Sequence, residues 1–284
     1  MVVNDSNHRA RSDVLLLNWK SGNIRQNMQD LVEDVNMEEA KHVTKDMIKN
    51  CLAALGIVEG DTVFFHSSMK SIGYIEGGAD TVIDAFLETI GNTGTLALPG
   101  LCMYDFAQMD REAIAKAWDI NNAPTYTGVI PETFRKRPGT LRSDNPTHSV
   151  TAVGKYAGEI TKDHINACGA ENAEGRPIWA SRGAFGKDSP WDKLYKLDAK
   201  YLLIGVDFHN CTLLHHVQIV FWEEYLKPNN PHAPWPVLDF RKMGSRLEES
   251  GIVQTGMIGN SFTRLTGSKD MVDTAVKIMA DGGP

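Results

Sequence analysis

The sequence has no long hydrophobic run, no cysteine pair and no stripe of basic residues, and each absence removes a class of function. The only apolar run near the N-terminus, Leu15 to Trp19, is short and flanked by Asp13 and Lys20. A membrane span needs about 20 apolar residues and a signal core about 7–15. A soluble, cytoplasmic protein with no membrane partner is therefore expected. The four cysteines, Cys51, Cys102, Cys168 and Cys211, form no CxxC pair and fit no zinc-module spacing. Free thiols in a reducing compartment are the simplest reading, with no metal. Net charge is -7 and Lys and Arg are scattered, so nucleic acid has no electrostatic footprint here. Internal repeats and low-complexity tracts are also missing.

What remains is an ordinary globular composition, 42% hydrophobic over 284 residues, long enough for a substantial core. Residues 1–40 are polar and lack sustained periodicity, and they read as an N-terminal arm. Residues 41–284 carry the folded domain. Thr44 is a candidate helix cap, followed by Met47, Ile48, Cys51, Leu52 and Leu55 on one face and Gly56 as a stop. "DTVFFHSS" and "TLALPG" read as strands around a helix from Ala79 to Ile90. Later, "SPWDKLYKL" reads as a short helix and "YLLIGVDF" as a strand ending near Asp207. Helices from Thr212 to Leu226 and after Ser268 complete the pattern. This order predicts an α/β fold with a mostly parallel or mixed central sheet flanked by helices. The segment from Met103 to Ala180 is less regular and is expected to form a lid or subdomain.

Three segments carry chemistry. "HSSMKSIGYIEGG", His66 to Gly78, leaves a strand and ends in two glycines before a helix. Such a loop can aim hydroxyls, backbone N–H groups and Lys70 at an anion such as a pyrophosphate, although it matches neither GxGxxG nor GxxxxGK[ST]. An ordinary strand-to-helix loop remains open. "TGVIPETFRKRPGTLRSDNPTHSVTAVG", Thr127 to Gly154, offers Arg135, Lys136, Arg137 and Arg142 to phosphates, or simply a solvated helix end. "VDFHNCTLLHHVQ", Val206 to Gln218, puts His215 in the first turn of a helix beyond the end of a strand, where ligands of open α/β sheets bind. A helix N-terminus there would lower its pKa. Gln218, three residues on, shares its face, and His216 is turned away.

These segments, with "GKDSPWDKL", "AKYLLIGV" and the closing "GMIGNSFTRL", occur in an order that resembles the aminoglycoside 3-N-acetyltransferase family. The likeness spans roughly Val43 to Ala280. It implies an antibiotic N-acetyltransferase-like α/β fold, distinct from the GNAT fold, with acetyl-CoA as cosubstrate. It implies an acceptor that is a small, polycationic amine, and hence a role in antibiotic resistance. His66, Ser67, Ser68, Lys70, Ser71 and Gly73 look like the family's coenzyme A pyrophosphate loop. Arg142 and Ser143 open a stretch similar to its Arg-Ser-x-His-Pro segment and are expected to bind the cofactor too, and Asn145 stands where many members have histidine. Thr212, His215 and Gln218 match its Thr-x-x-His-x-x-Glu pattern, with His215 as general base. A homodimer is one assembly open to such a chain.

The departure is Gln218, where the resemblance implies a glutamate that supports the imidazolium. An amide keeps a hydrogen bond but not the charge, and it can present its NH₂ instead of its carbonyl. In a serine-protease triad the equivalent acid-to-amide change costs about 10⁴ in turnover. Asp207, Glu223 or Glu224 could compensate. Four readings follow: direct acyl transfer, an acyl-enzyme on Cys211, a metal site at His209, His215 or His232, and a coenzyme A-binding homologue without catalysis.

Overall fold

The computed structural model describes residues 42–181 and 183–284, and the arm expected over residues 1–40 lies outside them. The first half runs β1 (His42–Val43), α1 (Lys45–Ala54), β2 (Thr62–Ser67), α2 (Met69–Ile72), β3 (Tyr74–Ile75), α3 (Gly78–Ile90) and β4 (Thr95–Pro99). The middle adds α4 (Arg111–Ala117), α5 (Val129–Arg135), β5 (Leu141–Arg142), β6 (Val150–Gly154) and α6 (Ala157–Thr161). The rest is α7 (Pro190–Lys196), β7 (Lys200–Ile204), α8 (Leu213–Phe221), α9 (Phe240–Glu249), β8 (Gln254–Ile258), β9 (Ser261–Gly267) and α10 (Ser268–Ala280).

Local chemistry sets the helix ends. Thr44 Oγ1 accepts from the Met47 N–H at 3.2 Å and starts α1. Ser189 caps α7 through the Asp192 N–H, with Pro190 at its first position. Ser268 is the first residue of α10 rather than its cap. Its hydroxyl donates to Leu194 O at 2.7 Å and pins α10 to α7. The strand at "YLLIGVDF" stops earlier than its apolar run, at Ile204, because Gly205 turns away at φ 65°. A Cβ on Gly205 would strike the hydroxyls of Ser71 and Ser261, so only glycine fits this crossing.

The main sheet has seven strands in the order β5-β6-β4-β2-β7-β9-β8. β2 is parallel to β4 and β7, and every other pairing in this sheet is antiparallel, so the sheet is mixed. The "irregular" middle segment contributes the β5–β6 hairpin to the sheet. The loops around that hairpin stay irregular.

β2 is central and buried on both faces. Val63 and Phe65 join one core with α1, α3 and α5, where Phe65 stacks on Phe86 at 4.4 Å. Phe64 faces the other, with α6 to α10, and stacks on Tyr201 at 4.9 Å. Each phenylalanine so buried contributes about 1.5–3 kcal/mol. The parallel trio β4-β2-β7 therefore ends in a rigid edge, on which the site is built.

Candidate active site

A cleft of about 510 Å³ opens beyond the carboxyl ends of β2, β4 and β7. His66 and Ser67 come from the end of β2, Leu101 from the loop after β4, and Val206, His209 and Asn210 from the loop after β7. Thr212 and His215 come from the start of α8, and Tyr126, Thr127, His148 and Phe240 complete the wall. This is where an open α/β sheet presents loop chemistry to a ligand.

His215 is oriented by two linked hydrogen bonds. Its Nδ1 lies 2.7 Å from Gln218 Oε1. The Gln218 Nε2 donates to Pro236 O at 2.5 Å. A carbonyl can only accept, so Pro236 fixes which end of the buried amide turns toward the imidazole. His215 then carries its proton on Nδ1 and leaves Nε2 as an acceptor. The ring is packed between Trp179, Phe185 and Phe240, each 4.7 Å away between centroids. Burial pulls its pKa down to about 4, against the upward pull of the Gln218 bond. The leading cause is thus desolvation, rather than the helix N-terminus expected from the sequence.

The N–H groups that open α8 are occupied. The Thr212 N–H points at His66 Nε2 (3.5 Å) and the Leu213 N–H donates to Tyr201 Oη (3.3 Å). The Tyr201 hydroxyl in turn reaches His66 Nε2 at 3.0 Å. Burial holds His66 neutral, with a pKa near 3, which suits this acceptor role. Cys211 is fully buried, its thiol lies 3.5 Å from Met271 Sδ, and desolvation raises its pKa to about 12. It has neither the exposure nor the thiolate needed to carry an acyl group. Among the described residues no cluster of His, Cys, Asp and Glu could hold a metal ion. Asp207 is bound to Arg241 (2.9 Å), and Glu223 to Lys227 (2.6 Å) and the Ala170 N–H (3.0 Å). Glu224 is exposed. Gln218 itself is the group supporting His215.

Sequence similarity agrees with the geometry. The family profile described as "Aminoglycoside 3-N-acetyltransferase" matches residues 64–280. The chain belongs to this family. It is an acetyl-CoA-dependent N-acetyltransferase of the aminoglycoside 3-N-acetyltransferase type. It is 28% identical to aminoglycoside N(3)-acetyltransferase VII of Streptomyces paromomycinus, an alignment covering 84% of this chain and 92% of that one. The crystal structure of aminoglycoside acetyltransferase AAC(3)-Xa superposes with a TM-score of 0.67 at 28% identity, covering 84% and 93%. AAC-IIIb in its binary complex with CoASH shares the fold, with a TM-score of 0.68 at 23% identity over 86% and 98%. Among the described residues no helix is long and apolar enough to cross a membrane.

Of the residues singled out by comparison with the aminoglycoside acetyltransferase family, His66, Ser67, Thr212 and His215 line the cleft, and Gln218 stands directly behind His215. Ser68, Lys70, Ser71 and Gly73 lie outside the cleft wall; Lys70 and Ser71 belong to α2, which Ser68 precedes and Gly73 follows, and not to the loop expected from the sequence. Ser71 is spent within the fold, donating to Ser68 O at 2.7 Å and meeting Ser261 Oγ at 2.8 Å. Arg142 and Ser143 are both engaged within the fold. The Arg142 guanidinium donates to Gly100 O (2.6 Å), Ala123 O (2.5 Å) and Ser149 Oγ (3.0 Å), and stacks on Trp118. It clamps three loop segments together and offers no fork to a phosphate. Ser143 is fully buried between His164 Nδ1 (2.9 Å) and the Val150 N–H (2.8 Å).

His148 and Trp179 were not singled out by the sequence. His148 lines the cleft with its ring 6.2 Å from that of His215, and Thr147 Oγ1 sits 2.9 Å from its Nδ1. Asn145, in the family's histidine position, is a turn former here. Its Oδ1 accepts from the N–H groups of Thr147 and His148 and from Ser181 Oγ, so it holds His148 in place. The clue in the sequence was a histidine one residue from a threonine after Asn-Pro, too weak to stand alone.

Proposed function

We propose that this protein transfers the acetyl group of acetyl-CoA to a primary amine of an aminoglycoside-type acceptor by direct attack in a ternary complex, with His215 as general base. The observation that carries this reading is the chain Pro236 O, Gln218 amide, His215 Nδ1, which leaves Nε2 as the free acceptor in the cleft wall. Such a nitrogen can take the amine proton as the C–N bond forms. The relatives named above are aminoglycoside acetyltransferases by name, which supports the acceptor class.

Direct transfer is favoured over an acyl-enzyme because Cys211, the thiol just before α8, is buried and held protonated. Ser68 and Lys70, which follow the wall residue Ser67 in sequence, are the groups we assign to the coenzyme A pyrophosphate. Thr212, at the helix start, lines the space next to the base.

The test combines thiol release with thermal shift. His215→Ala should abolish thiol release with aminoglycosides and keep the rise in melting temperature that coenzyme A causes. The double change Ser68→Ala, Lys70→Ala should weaken that rise. Full turnover in His215→Ala would sink the base assignment. An unchanged thermal shift in the double variant would move the pyrophosphate elsewhere. Coenzyme A binding without turnover of any amine would make the protein a binding homologue.

A further inference from the structure

Among the described residues lining the cleft, one has a buried side-chain polar atom without a partner: the Oγ of Ser67. A hydroxyl left so costs a fold about 1–3 kcal/mol, and native proteins rarely keep one without a use. Several groups around it are committed. His66 Nε2 serves Thr212 and Tyr201, the Ser68 N–H donates to Ile204 O at 2.9 Å, and the Ser71 hydroxyl donates to Ser68 O. Thr127 Oγ1, another hydroxyl of the cleft, has Pro99 O as its acceptor at 3.1 Å. Ser67 is also the last residue of central β2, paired with Ile204 of β7, so its backbone is fixed by the most buried part of the sheet.

We infer that Ser67 is a catalytic residue whose hydroxyl donates a hydrogen bond to the thioester carbonyl oxygen as it becomes an oxyanion. This rests on the transfer reading above and separates Ser67 from the pyrophosphate loop. The neutral acceptor amine bonds to the carbonyl carbon, and the C=O π pair moves onto oxygen, where Ser67 meets it. The surplus N–H proton passes to His215 Nε2. The carbonyl then re-forms, the C–S bond breaks with its pair on sulfur, and sulfur takes the proton back from His215. An amide and a thiol result. A donor that is idle in the resting protein and paired only at the oxyanion lowers the barrier selectively, because its full bond is realised in the transition state.

The experiment is Ser67→Ala in the full chain, with sisomicin and hydroxylamine as acceptors. Turnover should fall by about 10²-fold or more, the usual effect of losing one such donor. The KM for acetyl-CoA should stay within about twofold, since the bond is made in the transition state. The melting temperature should hold or rise, because an unpaired buried hydroxyl is removed. Ser67→Thr, which restores a hydroxyl, should recover part of the turnover. Turnover in Ser67→Ala within about threefold of the parent overturns the inference, as does a raised KM with turnover kept. A fall in turnover matched by a fall in melting temperature and unrescued by Ser67→Thr also overturns it. His215→Ala run alongside separates the two readings: activity that depends on His215 but not Ser67 removes only this inference. No His215-dependent thiol release with either acceptor removes both.

Discussion

Gln218→Glu is the most informative single change, because the structure sets its benefit and its cost against each other. Gln218 is 4% exposed and makes two bonds, accepting from His215 Nδ1 at 2.7 Å and donating to Pro236 O at 2.5 Å. A glutamate would turn the first into a charge-assisted bond to the developing imidazolium. Such bonds are worth about 1.5–3 kcal/mol, against roughly 1 for a neutral one. The difference, on the order of 0.5–2 kcal/mol, is a gain of roughly 2- to 30-fold in turnover. The second bond would be lost, because a carboxylate oxygen faces the Pro236 carbonyl with no proton between them. An unsatisfied buried carbonyl costs about 1–3 kcal/mol. In a domain of this size that lowers the melting temperature by roughly 2–4 °C per kcal/mol. Turnover should therefore rise while stability falls. The acid limb of the pH–rate profile should move up from the region of pH 4, where burial holds His215, toward ordinary imidazole values. The measurements are steady-state thiol release between pH 4 and 9 and a thermal melt of the same preparation. Unchanged turnover with an unmoved acid limb would show that Gln218 does not act on His215. Higher turnover without loss of stability would refute the role given to Pro236.

Two further outcomes follow from the same geometry. Cys211→Ser should keep most of the turnover, and no acetyl adduct should appear on the protein by mass spectrometry; an adduct at Cys211 would replace direct transfer with a covalent route. His66 and His164 are both buried, with pKa values near 3 against 6.5 for the unfolded chain. The unfolded state binds more protons between those values, so each histidine withdraws about 1.4 kcal/mol of stability per pH unit below 6.5. Melting temperature should fall steeply from pH 6.5 to 4.5, and a flat profile there would mean that these rings are not neutral in the fold.

Much of the architecture was legible because it is written locally. Thr44 with Gly56, and Ser189 with Pro190, mark helix ends by short-range hydrogen bonds and backbone preference. The alternation of Val63, Phe64 and Phe65 between two cores marks a central strand. β7 ends before its apolar run does, because what stops the strand at Gly205 is a crossing with Ser71 and Ser261, distant in sequence. Arg142 looked like an anion ligand for the same reason. Its partners, Gly100 and Ala123, lie on loops whose approach no spacing rule encodes. The orientation of the Gln218 amide depends on Pro236, eighteen residues later, so the sequence could pose the question of which end faces His215 but could not answer it.

The tie from His66 and Tyr201 to the first N–H groups of α8 has a consequence for how such a site can change. It bolts the helix bearing His215 directly to the two central strands, bypassing the intervening loop from Gly205 to Cys211. His215 is thus carried on the chassis of the sheet, whereas Tyr126, which comes from a loop, is a fitting of the cleft wall. Exchange of such a loop residue leaves the hydrogen bonds that place His215 untouched. A substitution at His66 or Tyr201 would instead loosen the helix that carries His215.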